Sequence, residues 1–212
     1  MKKKILIAIP CMDMVSARFA QSLSTLTKVG ECTVSFLMGS LVYDSRNRLA
    51  EYAIKTEADY IMWFDSDMMF SPDTLVRMMK VLDEHPEVDI LSGLYFRRSQ
   101  PFTPVLFEEL DINDKYECTF KDFDGIPEGL TEIAGCGFGC VLMHTDCLFD
   151  IGAKHGAVWF SPMGNVGEDC AFCVRARAEG YHIYVDPSIE LGHVGVATVT
   201  RQFYEALERE GK

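Results

Sequence analysis

No apolar run in the sequence approaches the roughly 18–20 residues of a helical membrane span, so no membrane-spanning segment is expected. Internal repeats, low-complexity tracts and Pro/Ser-rich linkers are also missing, which excludes a solenoid or a string of tethered modules. Basic residues are in deficit: 20 Lys and Arg against 32 Asp and Glu leave a formal net charge of −12. General nucleic-acid binding relies on basic patches that displace counterions, so no nucleic-acid partner is expected. Any phosphate held by such a chain calls for a metal ion or a local basic cluster as intermediary. The start, "MKKKILIAIPCMDM", has a basic head and a short apolar stretch. Pro10 and Asp13 interrupt it and no small-residue cleavage site follows, so it reads as a first strand, and a cytoplasmic location is expected.

What is present points to one domain. The 212 residues, 48% hydrophobic and 25% charged, suffice for one large core. A chain of this size needs no disulfide staples, and its eight cysteines read as reduced thiols. Cys170 and Cys173 lie at helical spacing, and Cys136 and Cys140 flank "GFG"; neither pair has the context of a zinc knuckle.

The first half alternates strand and helix. "KILIAI" predicts a strand and Val15–Lys28 a helix; "CTVSFLM" predicts a strand and Asp44–Thr56 a helix. "DYIMWF" is a third strand. "SPDTLVRMMKVLDEHP" predicts a helix with Ser71 as N-cap and Pro72 in its first position, before a fourth strand, "VDILSG". This alternation predicts an α/β fold with a central, mostly parallel sheet flanked by helices. The second half is mixed. "TPVLFEE", "KYECTF" and "LTEIAGCGFGCVLMH" read as shorter strands, and a helix runs from about Glu168 to Glu179 before Gly180. "HIYV" and "IELGH" return as strands, and a charged helix over Arg201–Glu210 closes the chain.

The stretch "ADYIMWFDSDMMF" sets two carboxylates, Asp65 and Asp67, between apolar runs, where burial is costly without a positive partner. On an extended chain both point to one side, at the rim where open α/β sheets bind ligands. Hard oxygen donors there suit Mg²⁺ or Mn²⁺, particularly beside a substrate diphosphate. An Asp-Ser-Asp turn that caps its own backbone satisfies the same residues.

Four segments in order widen the pattern: "WFDSDMM", the Gly-rich "AGCGFGC", the acidic pair of "GEDCAFCVRA", and the late His of "LGHVG". Together they resemble the inverting glycosyltransferases of the GT-A fold, especially the family 2 group. The resemblance spans nearly the whole chain. It implies one Rossmann-like GT-A domain over 1–212, with residues 1–100 binding a nucleotide diphosphate-sugar and residues 101–212 binding the acceptor and carrying catalysis. It implies that Asp65, Asp67 and His193 hold Mn²⁺ or Mg²⁺. Pro10, Arg46 and Asp65 would then contact the donor, and Asp169 would act as general base with Glu168 binding acceptor or orienting it, although the sequence leaves open which of the two is the base. Helix capping is the plain alternative for the acidic pair, a solvated helix face for Arg46, and a surface turn for His193.

Arg97 and Arg98 either contact phosphate or cap a sheet edge. Gly135, Gly137 and Gly139 either admit a sugar to the backbone or make a turn. Trp159 and Phe160 form an acceptor platform or a buried pair. The implied activity is transfer of a sugar to a glycan or other hydroxyl acceptor. A non-catalytic nucleotide-sugar- or carbohydrate-binding protein of the same fold is the alternative. A haloacid-dehalogenase-like phosphatase fits less well, because Met69 stands where that motif needs Thr or Val and the aspartates follow the third strand. Donor base, acceptor and oligomeric state are not specified by these residues.

Overall fold

A computed structural model of the chain describes residues 2–113, 115, 117–164 and 166–195. The elements in order are β1 (Lys4–Cys11), α1 (Ala17–Thr25), β2 (Glu31–Met38), α2 (Val42–Lys55), β3 (Tyr60–Phe64), β4 (Met68–Met69), α3 (Thr74–Glu84) and β5 (Ile90–Leu94). The second half adds β6 (Leu106–Ile112), β7 (Cys118–Asp122), β8 (Thr131–Glu132), β9 (Gly135–Cys136), β10 (Cys140–His144), α4 (Asp146–His155), α5 (Glu168–Ala178), β11 (Ile183–Glu190) and β12 (Gly192–His193). The closing helix expected over Arg201–Glu210 lies outside the described residues.

Seven strands form one sheet in the order β2-β1-β3-β10-β5-β11-β8. β1 runs parallel to β2 and β3, β5 runs parallel to β11, and β10 lies antiparallel between β3 and β5. With β8 antiparallel on the β11 edge, five of the seven strands share one direction. The fold is therefore mixed α/β, with a large, mostly parallel central sheet flanked by helices. No described helix is long and apolar enough to cross a membrane.

Strand parity sorts the core into two layers. Ile5, Ile7, Ile9, Tyr60, Met62 and Phe64 pack with Phe19 of α1 and with Leu75, Met78 and Met79 of α3. Leu6, Ala8, Ile61 and Trp63 pack with Leu49, Ala50 and Ala53 of α2, Leu148 and Ile151 of α4, and Phe172 of α5. Both faces of β3 are covered, which is why "YIMWF" is apolar without alternation. Asp65 continues the parity of Ile61 and Trp63, toward the layer that contains α2 and α5.

Several element boundaries differ from the sequence reading. α1 starts after Ser16, whose Oγ accepts from Phe19 N at 3.0 Å, and it stops at Thr25, short of Lys28. The chain leaves the helix because Thr27 N donates to the Pro72 carbonyl at 2.7 Å. Ser71 and Pro72 do not open α3 but form the turn before it, and Asp73 is the N-cap. "LTEIAGCGFGCVLMH" splits among β8, β9 and β10, whereas "HIYV" and the start of "IELGH" merge into β11 through an irregularity between Asp186 and Glu190. α4 was not anticipated; its Leu148 carbonyl accepts the Trp159 indole N–H at 2.7 Å.

Candidate functional site

The strand ends that share one rim enclose a cleft of about 780 Å³. Pro10 at the end of β1, Asp65 after β3 and Tyr95 after β5 line it. The opening of α5 adds Glu168 and Asp169, and the last ribbon adds His193. The seven residues to which the resemblance gives a site role, Pro10, Arg46, Asp65, Asp67, Glu168, Asp169 and His193, all line this one cleft.

Arg46 is not on a solvated face of α2. Its side chain is 2% exposed and lies within 5.5–5.9 Å of the Trp63, Phe138 and Phe160 ring centres. Desolvating a guanidinium requires anionic partners, and two are present. One terminal nitrogen donates to Asp65 Oδ1 at 2.8 Å, and Nε faces Glu168 Oε1 at 3.4 Å. The other terminal nitrogen reaches the Phe138 carbonyl at 3.5 Å. Burial opposes the charge on Arg46, but Asp65 and Glu168 outweigh it and raise its pKa. Burial also pushes the Asp65 carboxyl up, against the pull of Arg46.

The two aspartates do not sit on an extended chain, contrary to the sequence reading. The backbone turns after β3, with Met68 N donating to the Asp65 carbonyl at 3.2 Å, and Asp67 lies inside the turn. Their carboxylates consequently meet different cations. Asp67 Oδ2 accepts from Arg98 at 2.7 Å and lies 3.5 Å from His193 Nε2. β12 delivers that histidine: it pairs antiparallel with β4, in register His193–Met68, and Val194 N donates to the Asp67 carbonyl at 2.8 Å. His193 Nδ1 donates to the Phe96 carbonyl at 2.8 Å, which fixes the ring with Nε2 toward Asp67.

Burial alone would raise the Asp67 pKa, but His193 and Arg98 hold it below the ordinary carboxylate value. Burial alone would lower that of His193, but Asp67 and the Phe96 carbonyl raise it. By linkage, the His193 contribution to stability is full below its unfolded pKa and is lost as pH rises through the raised value. The Asp67 contribution is present above its unfolded pKa and is lost as pH falls through the depressed one.

In the cleft Asp67 and His193 offer ligand atoms to one point, and no group of three or more His, Cys, Asp or Glu side chains clusters for a metal among the described residues. Two adjacent ligands of a small divalent ion held at about 2.1 Å stand roughly 3 Å apart, close to the Asp67–His193 spacing. Mg²⁺-type ions commonly take one or two protein ligands and complete their shell with substrate phosphates and water, so this donor set suits a cation that arrives with a phosphate-bearing ligand.

Other candidates take structural positions. Cβ atoms at Gly137 and Gly139 would lie 2.2 Å from the Tyr95 hydroxyl oxygen and 2.8 Å from its Cζ, so these glycines admit a core tyrosine rather than a ligand. The Tyr95 hydroxyl accepts from Gly139 N at 3.0 Å. Trp159 and Phe160 are buried, Phe160 stacked on Phe172, and form no exposed platform. Arg97 pairs with Asp122 of β7 at 2.8 Å. The eight cysteines are free thiols. Tyr95 is the site residue that the sequence reading missed; nothing in "SGLYFRR" separates it from an ordinary core aromatic.

No protein-family model matches the chain, and no curated protein does. Among solved structures that match, the crystal structure of A197 from STIV shares a TM-score of 0.57 and 16% sequence identity with it, over 93% of this chain and 98% of that one. That likeness shows a shared fold.

Two outcomes are expected. Arg46→Met should lower stability by about 3 kcal/mol or more in chemical denaturation, because it strands two carboxylates; Arg46→Lys should recover only part, since an ammonium cannot fork between them. In an NMR titration His193 should show a midpoint above the ordinary value of about 6.5. Asp67→Asn should move that midpoint below the wild-type one, and an unmoved midpoint would mean that the two groups are uncoupled.

Proposed function

We propose that the protein is a metal-dependent inverting glycosyltransferase of the GT-A type, which moves a sugar from a nucleotide diphosphate-sugar to an acceptor hydroxyl. The observation that carries this reading is the convergence on one sheet rim of seven residues spread from Pro10 to His193. Those are the residues that the resemblance to family 2 glycosyltransferases implies, and open α/β sheets bind their ligands at such a rim.

In this reading Asp67 and His193 would hold Mn²⁺ or Mg²⁺. When bound, the cation supplies charge neutralisation for the departing diphosphate. Asp65 stays on Arg46 and presents its remaining oxygen to the donor beside Pro10. The structural inequality between the acidic neighbours supports a choice of base. Glu168 is engaged by Arg46, whereas Asp169 Oδ1 accepts the adjacent Cys170 N–H at 2.7 Å, leaving the second oxygen for an acceptor hydroxyl. Asp169 is therefore assigned as general base, taking the hydroxyl proton as the oxygen attacks the sugar carbon opposite the leaving diphosphate. Glu168 sets the start of α5 through Arg46. The phosphatase alternative has less support, because its nucleophile would be Asp65, which Arg46 already holds.

The test is release of nucleoside diphosphate from a panel of nucleotide-sugars with Mn²⁺, with and without acceptors. Asp67→Ala should lower turnover by on the order of 10²–10³. Wild-type rates in that variant at saturating metal would remove Asp67 from the site. Silence across the panel, with nucleoside diphosphate still bound, would favour a non-catalytic binding protein.

A further inference from the structure

We propose that Arg98 is an exchangeable counter-ion: it neutralises Asp67 in the ligand-free protein, yields that carboxylate to the divalent cation, and then pairs with the phosphates of the nucleoside diphosphate. This rests on the reading of the cleft as a nucleotide-sugar site and adds the order in which its charges change partners.

The geometry makes Arg98 and the cation competitors. Arg98 donates to Asp67 Oδ2 at 2.7 Å, and this is the oxygen that faces His193 Nε2 at 3.5 Å. A cation at about 2.1 Å from that oxygen would stand within roughly 5 Å of the guanidinium, and the repulsion between them favours one occupant. The arginine is the one built to leave. Its side chain is 52% exposed, whereas Arg46, which holds the other aspartate, is 2% exposed.

The backbone beneath Arg98 is pinned, so release needs only side-chain rotation. Arg97 N donates to the Thr103 carbonyl, Val105 N to the Tyr95 carbonyl, and the Phe96 carbonyl accepts from His193. The Arg98 stem lies along Gly195, with its carbons 3.5–3.6 Å from where a Cβ there would be. Next to it, Arg97 also lines the cleft and is held by Asp122 at 2.8 Å.

The destination of a released Arg98 follows from charge. Of the other carboxylates of the cleft, Asp65 and Glu168 are already engaged by Arg46, and Asp169 is the proposed base, with one oxygen on the Cys170 N–H. A displaced guanidinium therefore regains a partner when an anion enters, and a diphosphate provides one that a guanidinium grips through two parallel bonds. Metal alone must displace Arg98 without compensation, whereas metal with diphosphate restores its pairing. The consequence is positive coupling between cation and nucleotide, and coupling of this kind is reciprocal.

The experiment measures Mn²⁺ binding from the electron-paramagnetic-resonance signal of the free ion, with and without uridine or guanosine diphosphate, for the full chain and for Arg98→Ala and Arg98→Lys. Arg98→Ala should bind Mn²⁺ alone about five- to tenfold more tightly. It should bind nucleoside diphosphate with Mn²⁺ about tenfold more weakly, so the coupling falls. Arg98→Lys, which keeps the charge but not the fork, should lie between. Should wild type bind both ligands while Arg98→Ala leaves the affinity for Mn²⁺ alone unchanged or weaker, the exchange is refuted and the glycosyltransferase reading stands. Should wild type bind neither ligand, the reading of the cleft fails and the exchange with it.

Discussion

A single buried guanidinium ties this molecule together at its rim. Arg46 projects from α2 into an aromatic box of Trp63, Phe138 and Phe160 and meets carboxylates from two distant parts of the chain, Asp65 after β3 and Glu168 at the start of α5. Neither the cation nor its partners could be desolvated at acceptable cost alone. Their mutual satisfaction fixes where α5 begins, and with it the position of Asp169. Residues 122 apart in sequence are thereby set in one cleft.

The same arrangement divides the work between the two aspartates. Asp65 is committed inward, to the layer that contains α2 and α5. Asp67, two residues later and inside a turn, belongs to a second group with Arg98 and His193, built by the short β4–β12 ribbon. The arginine of the first group is enclosed, whereas that of the second opens to solvent. A buried charged hub beside a pair with an exposed arginine is the arrangement that the proposed uptake of a cation and an anionic ligand would use. The β10 strand, inserted antiparallel between β3 and β5, supports the first group: Phe138 and Gly139 just before it supply carbonyls to Arg46 and to the Asp65 backbone N–H.

The front half of the fold was legible in the sequence because its signals are local. Alternating strands and helices with parity-sorted apolar residues place β1, β2, β3, β5 and three helices within a few residues, although the short β4 carries no such signal. The second half was less so: the short strands from Thr131 to His144 are set by pairing with distant partners, which no local period reveals. The site residues were legible by type and order, but their partners were not. "DSRNRLA" shows neither that Arg46 is buried nor that it faces Asp65, since that depends on how α2 crosses β3. A metal ion was the positive partner expected for the carboxylate pair; the two arginines and the histidine beside it were not anticipated as partners. The role of Gly137 and Gly139 stayed open for a similar reason, because the ring they accommodate, Tyr95, comes from a distant part of the chain.

The most direct measurement is a crystal structure of the protein with Mn²⁺ and a uridine or guanosine diphosphate. The account predicts manganese between Asp67 and His193 with diphosphate oxygens in its shell, while Arg46 still holds Asp65 and Glu168. A nucleotide lodged away from this rim, or manganese bound elsewhere with Asp67 still paired to Arg98, would contradict it.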